Sequence, residues 1–204
     1  MAEVEEFKQK ILSSGILDKE GVHHVFSQGL HGRKIDFDLI PDGSELFQKW
    51  VDITAGFIQT NYPRLPETVI GVANGTNRLA MAVAAKLGVK GLDTVKPEGS
   101  RNQPILTEES ARQLKKLNPK LIVILEDVGT RGTNSSSVAR SVHKLGFDNL
   151  EVINTWQRSE TLLLLDEMNV PYKALIKEVL PSYHLENCEY CKKGWQLLGH
   201  GQTK

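Results

Sequence analysis

The sequence predicts an α/β fold with a doubly wound, mostly parallel sheet. Strands are predicted over 68–72, 121–125 and 150–155, and the run at 121–125 is continuously apolar, which is typical of a strand buried on both faces. Amphipathic helical stretches separate these strands, and glycines such as Gly88 and Gly146 can end the helices. Because strands and helices alternate, we expect helices on both faces of the sheet and ligands at the carboxyl ends of its strands.

The remaining elements follow from periodicity and from turn residues. A helix is predicted over 3–14, an extended segment over 22–40, and a longer helix that begins near Asp42 or Ser44. Further helices are predicted over 77–87, 108–117, 134–145 and 159–168, a strand over 172–176, and a polar loop rich in Pro and Gly over 93–104.

Composition excludes several classes of protein. The chain has 204 residues, with 25 basic and 25 acidic side chains, so it lacks the basic excess of a nucleic-acid binder. Its apolar runs are too short to span a bilayer, and its first ten residues are charged rather than apolar. With only two cysteines, a reducing compartment is the natural setting. We therefore expect a soluble cytoplasmic protein without nucleic-acid or membrane partners.

The segment 121–137, LIVILEDVGTRGTNSSS, is the most informative part of the chain. An apolar strand runs directly into two carboxylates, Glu126 and Asp127, and a loop of small residues then opens a helix. The loop consists of Thr130, Arg131, Gly132, Thr133 and Asn134. Backbone N–H groups at a helix N-terminus suit a phosphate, but neither GxxxxGK[ST] nor GxGxxG occurs. The sequence thus predicts a phosphate site that is not a Walker A loop.

The acidic pair has two interpretations. If the phosphate is the 5-phosphate of a ribose, Glu126 and Asp127 can accept hydrogen bonds from the 2- and 3-hydroxyls. They would also favour positive charge on the ring, as in an oxocarbenium-like transition state. The alternative is a solvated acidic turn before an ordinary capped helix.

Residues 122–134 resemble the donor motif of type I phosphoribosyltransferases, in which an apolar strand precedes an acidic pair and Thr-x-Gly-Thr. Within that superfamily, three segments look like orotate phosphoribosyltransferase. Residues 24–40 are similar to its N-terminal hood, 69–88 to its pyrophosphate loop and following helix, and 152–176 to the strand, Arg-x-Glu and helix after the donor motif. The Cys-x-x-Cys-x-x-Gly at 188–194 is similar to that of some members.

The resemblance implies the type I phosphoribosyltransferase fold, a small hood built from both termini, and a homodimer. It divides the chain into an N-terminal helix and hood region (1–66), a core that binds phosphoribosyl pyrophosphate (67–180) and a C-terminal extension on the hood (181–204). It also implies Mg²⁺ carried mainly by the pyrophosphate of the donor. The implied reaction joins a nucleobase, with orotate favoured, to ribose 5-phosphate and releases pyrophosphate, as in pyrimidine biosynthesis.

The resemblance also assigns roles to residues. The loop 130–134 would hold the 5-phosphate, and Glu126 and Asp127 the ribose hydroxyls. Lys96 would lie over the pyrophosphate, and Arg158 would hold the carboxylate that distinguishes orotate from uracil. Backbone N–H groups of Ala73, Asn74 and Gly75 would hold the pyrophosphate.

Departures from the family's pattern leave alternatives open. The stretch 93–104 reads DTVKPEGSRNQP, in which Val95 stands where the family has Arg and no His-Gly pair follows. Arg101 could serve as a second cation there. In the hood, Gln28 and Gly32 stand where the family has Ser. The same reaction on another pyrimidine or a purine, and a non-catalytic regulatory module that binds the donor, therefore remain alternatives.

Cysteine and histidine residues near the C-terminus present a weak zinc pattern. His184, Cys188, Cys191 and His200 are four candidate ligands, but their spacing is loose, and a surface turn with reduced thiols is the simpler interpretation. No metal is therefore assigned to protein side chains. The other histidines, His23, His24, His31 and His143, are interpreted as structural, with His31 the best exception because it lies in the hood segment.

Overall fold

The computed structural model describes residues 2–26, 29–73, 75–99 and 103–199. The helices are α1 (Ala2–Ser14), α2 (Glu45–Asn61), α3 (Gly75–Leu87), α4 (Glu108–Leu117), α5 (Thr133–His143), α6 (Leu163–Asp166) and α7 (Glu189–Lys192). The strands are β1 (Val22–Val25), β2 (His31–Gly32), β3 (Thr68–Gly71), β4 (Lys90–Leu92), β5 (Thr94–Val95), β6 (Ile105–Leu106), β7 (Ile122–Gly129), β8 (Leu150–Gln157), β9 (Tyr172–Lys177), β10 (Ser182–Tyr183) and β11 (Gln196–Leu198). Short 3₁₀ turns lie at Phe37–Leu39 and Leu185–Asn187.

The central sheet has five parallel strands in the order β4-β3-β7-β8-β9. One apolar cluster packs α1, α2 and α3 on one face, and a second packs α4, α5 and α6 on the other. The indole N–H of Trp50 in α2 donates to Thr155 Oγ1 of β8 at 2.7 Å, which fixes this helix to the sheet. Helices on both faces of a parallel sheet confirm the predicted fold class.

A second sheet, which we call the hood sheet, comprises β10, β2, β1 and β11 in that order. Two of its strands come from the first 32 residues of the chain and two from the last part, after Leu180. β1 and β11 are parallel, and β2 is antiparallel to both β1 and β10. The hood sheet thus joins the two ends of the chain.

Two elements differ in length from their predictions. β7 continues past 121–125 to Gly129, so the acidic pair lies within the strand rather than after it. The helix predicted over 159–168 is reduced to α6, because the Ser159 hydroxyl donates to the carbonyl of Thr130 and Gln157 Nε2 donates to the carbonyl of Ser159 at 2.9 Å. The residues before α6 therefore brace the loop after β7 instead of forming a helix.

A two-stranded stem brackets most of the polar segment 93–104, with β5 near its start and β6 directly after it. β5 and β6 pair antiparallel, with Thr94 opposite Leu106 and Val95 opposite Ile105. The expected loop is thus the connection of a hairpin.

Among the described residues, no helix has both the length and the apolar character needed to cross a bilayer.

Candidate functional site

The carboxyl ends of β3 and β7 lie side by side at one edge of the central sheet. Gly71 pairs with Leu125, so the acidic pair follows directly beside the turn that leads from β3 into α3. The α3 helix begins at Gly75, and the α5 helix begins just after β7 ends. Two helix N-termini therefore flank Glu126 and Asp127, which is a common arrangement for binding anionic ligands.

The carboxyl of Glu126 is almost completely buried, with 4% of the residue exposed. Burial raises its pKa to about 7, and the neighbouring charge of Asp127 adds to the shift, while hydrogen bonds from Ser135 and Asn134 oppose it. The pKa of Asp127 is also raised, first by burial and then by the charge of Asp38. Carboxyl groups held in this way have a charge that responds strongly to ligands.

Asp38 is a third carboxylate at this edge, and sequence reasoning did not identify it. A Cβ added to Gly75 would collide with Asp38 Oδ1 and would lie 3.5 Å from Asp127 Oδ2. Gly75 therefore leaves room for two carboxylates against the first turn of α3. Arg78, one turn further along α3, donates to the carbonyls of Phe37 at 2.9 Å and of Ile40, and so holds the 3₁₀ turn that carries Asp38.

The predicted phosphate loop, 130–134, follows β7 and opens α5. Gly132 precedes the helix with a φ of 74°, a left-handed conformation that glycine adopts readily. Its carbonyl accepts the first helical hydrogen bond from the Ser136 N–H at 2.8 Å. The carbonyl of Arg131 accepts from the Leu164 N–H at 3.1 Å, which fixes the outer side of the loop. The first N–H groups of α5 are thus presented next to the acidic pair.

Lys96 lies directly after β5, and its charge lowers the pKa of Asp127. The stem that carries it is fixed to the turn after β3. Thr94 Oγ1 accepts from the Ala73 N–H at 2.7 Å and donates to the carbonyl of Gly71, also at 2.7 Å. The Asn77 side chain bonds both backbone groups of Thr94. The lysine therefore belongs to the same edge of the sheet as the acidic pair.

Arg158 follows β8 and is 5% exposed. Its Nη2 donates to the carbonyl of Leu180 at 3.2 Å and to Ser182 Oγ at 3.1 Å, and the guanidinium lies 4.9 Å from the centre of the Phe26 ring. Its Nε has no hydrogen-bond partner, and none of the ion pairs among the described residues involves Arg158. Burial lowers its pKa. A buried cation thus stands between the core and the hood sheet.

Most of the predicted site residues share one edge of the central sheet. Glu126, Asp127, Ala73, Gly75, Lys96 and the loop 130–134 lie there, and Arg158 lies toward the hood sheet. Asn74, Arg101, Gln28 and the candidate zinc ligand His200 lie outside the described residues. Sequence reasoning missed Asp38, Arg78 and Thr94, since an aspartate, an arginine and a threonine outside any motif give no signal until the chain folds.

No protein-family model matches the chain. In structure, the chain is similar to orotate phosphoribosyltransferase from Aeropyrum pernix, with a TM-score of 0.64, 18% identity, and coverage of 95% of this chain and 98% of the other. It is also similar to adenine phosphoribosyltransferase from Saccharomyces cerevisiae, with a TM-score of 0.59, 16% identity, and coverage of 86% and 99%. These neighbours and the parallel sheet define the class: the chain has the type I phosphoribosyltransferase fold.

Sequence similarity narrows the class. Over 138 residues, the chain is 28% identical to the orotate phosphoribosyltransferases of Caldanaerobacter subterraneus subsp. tengcongensis and of Thermoanaerobacter sp., covering 68% of this chain and 67% of each relative. The resemblance to orotate phosphoribosyltransferase that the motifs indicate is therefore confirmed.

Proposed function

We propose that this protein is a phosphoribosyltransferase that joins a nucleobase, with orotate favoured, to the ribose 5-phosphate of phosphoribosyl pyrophosphate. One observation carries the proposal: an acidic pair, Glu126 buried and Asp127 half-buried, lies between two helix N-termini at the carboxyl edge of a parallel sheet. That arrangement provides hydroxyl acceptors between two anion sites. A ribose with phosphate groups at both ends has the matching chemistry.

The donor would lie along this edge in one orientation. The N–H groups of the loop 130–134 would bind the 5-phosphate, and the N–H of Gly75 the pyrophosphate. The Ala73 N–H, which the resemblance also assigns to pyrophosphate, already donates to Thr94 Oγ1 at 2.7 Å. Glu126 and Asp127 would accept hydrogen bonds from the ribose hydroxyls between them. Because Gly75 has no side chain, Asp38 and Asp127 can both lie against the first turn of α3, beside the proposed pyrophosphate site.

Mg²⁺ fits this site. The cation prefers a few carboxylate oxygens together with phosphate oxygens and water, and the carboxylates of Asp38 and Asp127 both face Gly75. These two residues would hold the ion beside the pyrophosphate. When bound, Mg²⁺ would neutralise charge on the departing pyrophosphate.

The acidic pair would act by electrostatics rather than by covalent chemistry. As the bond between C1 and the pyrophosphate oxygen breaks and the bond to the base nitrogen forms, positive charge develops on the ribose ring. Carboxylates that are already in position stabilise this charge without reorganisation. Lys96 would offset the negative charge that develops on pyrophosphate, and its effect on the pKa of Asp127 supports this location.

Arg158 would select the base. A guanidinium can hold a carboxylate through two parallel hydrogen bonds, and the carboxylate of orotate is what separates it from uracil. The buried guanidinium has an unpartnered Nε and no ion pair among the described residues, which supports an anionic ligand there. The assignment of orotate depends on this residue and on the sequence similarity.

A base panel tests the proposal. The protein is incubated with phosphoribosyl pyrophosphate, Mg²⁺ and one of orotate, uracil, adenine or hypoxanthine, and pyrophosphate release is measured. We expect release with orotate, and a loss of a hundredfold or more in Asp127→Asn, on the order of other losses of electrostatic stabilisation. Release with another base alone would reject orotate but keep the reaction class. Donor binding without release from any base would favour the regulatory module.

The resemblance carries three further proposals: a homodimer, a cytoplasmic location and a place in pyrimidine nucleotide synthesis. They depend on the assignment of the reaction, and the first can be measured separately by sedimentation.

A further inference from the structure

Four side chains from two distant parts of the chain converge under the hood sheet. His23 lies in β1 and His31 in β2, while Cys188 precedes α7 and Cys191 lies within it. The ligand atoms of all four, two ring nitrogens and two sulfurs, lie within 4.8 Å of one another. Neither histidine was connected with the cysteines by sequence reasoning, because about 160 residues separate them. We call these four residues the His₂Cys₂ cluster.

Interatomic distances in the His₂Cys₂ cluster match a tetrahedral ion site. His23 Nε2 lies 3.3 Å from Cys191 Sγ, and His31 Nδ1 lies 3.2 Å from the same sulfur. In a tetrahedron with metal–nitrogen and metal–sulfur bonds of about 2.0 and 2.3 Å, neighbouring ligand atoms are separated by roughly 3.3 to 3.8 Å. The cluster therefore needs only small adjustments to enclose an ion.

The local backbone suits two metal-binding thiolates. Cys188 caps α7, and its sulfur accepts from the Cys191 N–H at 3.4 Å, which brings the two sulfurs to the same side of one tight turn. Gly194 ends the turn with a φ of 69°. An N–H directed at a sulfur stabilises negative charge on it, as a thiolate ligand requires.

Burial distinguishes the cluster from a chance group of surface residues. His23 and Cys188 are fully buried and His31 is 4% exposed, while Cys191 lies at the partly exposed edge of the cluster. The Tyr190 ring packs at 5.6 Å from the His23 ring and is stacked on Trp195. Four protein ligands leave no open coordination position for a substrate, so the cluster has the character of a structural centre rather than a catalytic one.

A disulfide between the cysteines explains less of this geometry. A disulfide would involve the sulfurs alone and would leave the two ring nitrogens, both directed at Cys191, without a common partner. A single ion bonds all four atoms at once. Two nitrogens with two sulfurs form a ligand set typical of zinc.

We propose that His23, His31, Cys188 and Cys191 bind one Zn²⁺ ion as a structural site that fastens the C-terminal extension to the β1–β2 hairpin. The proposal goes beyond the proposed function and does not depend on it. The ion would fasten β1 and β2, the second of which has only two residues, to the turn that carries α7. Because the unfolded chain has no preformed site, zinc binding would contribute directly to the folding of the hood sheet.

Metal analysis of the untagged full chain, purified without chelator, tests the site. We expect about one zinc ion per chain by atomic emission, the stoichiometry of a closed four-ligand site. Cys191→Ser and His31→Gln should lose most of it. His184→Gln is the matched control, because His184 is exposed and outside the His₂Cys₂ cluster although it lies in the Cys-x-x-Cys region. This variant should keep its zinc.

Cobalt provides a test that does not depend on the folding of the variants. Zinc-depleted wild-type protein is titrated with Co²⁺ and should develop sulfur-to-cobalt charge-transfer absorption and the intense visible bands of tetrahedral coordination. Absence of zinc from the purified protein together with absence of these bands would overturn the proposal. Loss of zinc in His184→Gln with retention in His31→Gln would overturn the ligand assignment.

Discussion

Glu126 is held in an environment that opposes its ionisation, and this lowers the folding stability of the protein without bound donor. Its carboxyl is buried at the sheet edge, and burial raises the pKa from 4.5 to about 7. A donor whose hydroxyls hydrogen-bond to the ionised carboxylate would recover part of this cost on binding. Glu126, which would stabilise a charged transition state, therefore lowers the folding stability of the protein.

The pH dependence of stability checks the environment of Glu126. Between pH 4.5 and 7 the folded protein retains this proton while the unfolded chain releases it, so stability falls as the pH rises through this window. Above pH 7 the full cost applies, on the order of 3 kcal/mol. Glu126→Gln should therefore be more stable than wild type at pH 8 and similar at pH 5, as measured by urea denaturation.

Glu160→Gln is the control for that measurement, since Glu160 is exposed. It should follow the wild-type stability at both pH values. An equal difference between wild type and Glu126→Gln at pH 5 and pH 8 would contradict the raised pKa.

Arg158 permits a second prediction at the residue scale. Arg158→Ala should raise the KM for orotate by roughly 10- to 100-fold, the loss of a charge-assisted contact of about 1.5–3 kcal/mol. Arg158→Lys keeps the charge but not the geometry for two parallel hydrogen bonds. Its KM for orotate should therefore lie between those of wild type and Arg158→Ala. The affinity for phosphoribosyl pyrophosphate should hardly change in either variant.

The control for Arg158 is Arg112→Ala, on the exposed side of α4, which should leave both constants unchanged. A normal KM for orotate in Arg158→Ala, or better use of uracil than of orotate by the wild type, would refute the role of Arg158.

At the scale of elements, the core could be predicted because its signals are local. Apolar runs such as 121–125 identify buried strands, and the string from Glu126 to Asn134 encodes the strand, the acids and the loop in one continuous stretch. The short α6 could not be predicted, since the bond from Ser159 to Thr130 arises only after β7 and β8 pair. Tertiary contacts here override a helical pattern.

The hood sheet could not be predicted strand by strand for a related reason. Strands of two residues, such as β2 and β10, are too short to show any periodicity. Asp38 reaches the site because Arg78, about 40 residues away in sequence, holds its turn. Such long-range contacts leave no pattern in a single sequence.

The β5–β6 hairpin carries a prediction about Lys96. If Lys96 acts on the departing pyrophosphate, Lys96→Ala should reduce kcat by tenfold or more, because a developing charge loses its counter-ion. The Kd of the donor should change much less. Single-turnover kinetics and calorimetric donor binding separate the two effects.

Lys116→Ala is the matched control for the loss of one positive charge, because Lys116 is exposed on α4. It should change neither kcat nor the Kd of the donor. An unchanged kcat in Lys96→Ala would leave the lysine without a catalytic role and would make Arg101 the next cation to test.

At the scale of the whole molecule, the proposed donor site and the proposed base site are associated with different sheets. The proposed donor residues belong to the central sheet, whereas Arg158 connects that sheet to the hood through Leu180, Ser182 and Phe26. A Cβ added to Gly32 in β2 would lie 3.2 Å from Arg158 Nη2, so the hairpin that carries His31 forms one wall around the guanidinium. The His₂Cys₂ cluster therefore lies behind the proposed base site.

This arrangement predicts that removal of the metal impairs base binding more than donor binding. Cys191→Ser should loosen the hood sheet and raise the KM for orotate several-fold, because the wall beside Arg158 is no longer fastened to α7. The Kd for phosphoribosyl pyrophosphate should stay within about twofold of wild type, since the central sheet keeps its own core. His184→Gln should match wild type in both constants. Equal weakening of donor and base in Cys191→Ser would show that the two sheets are not independent in this way.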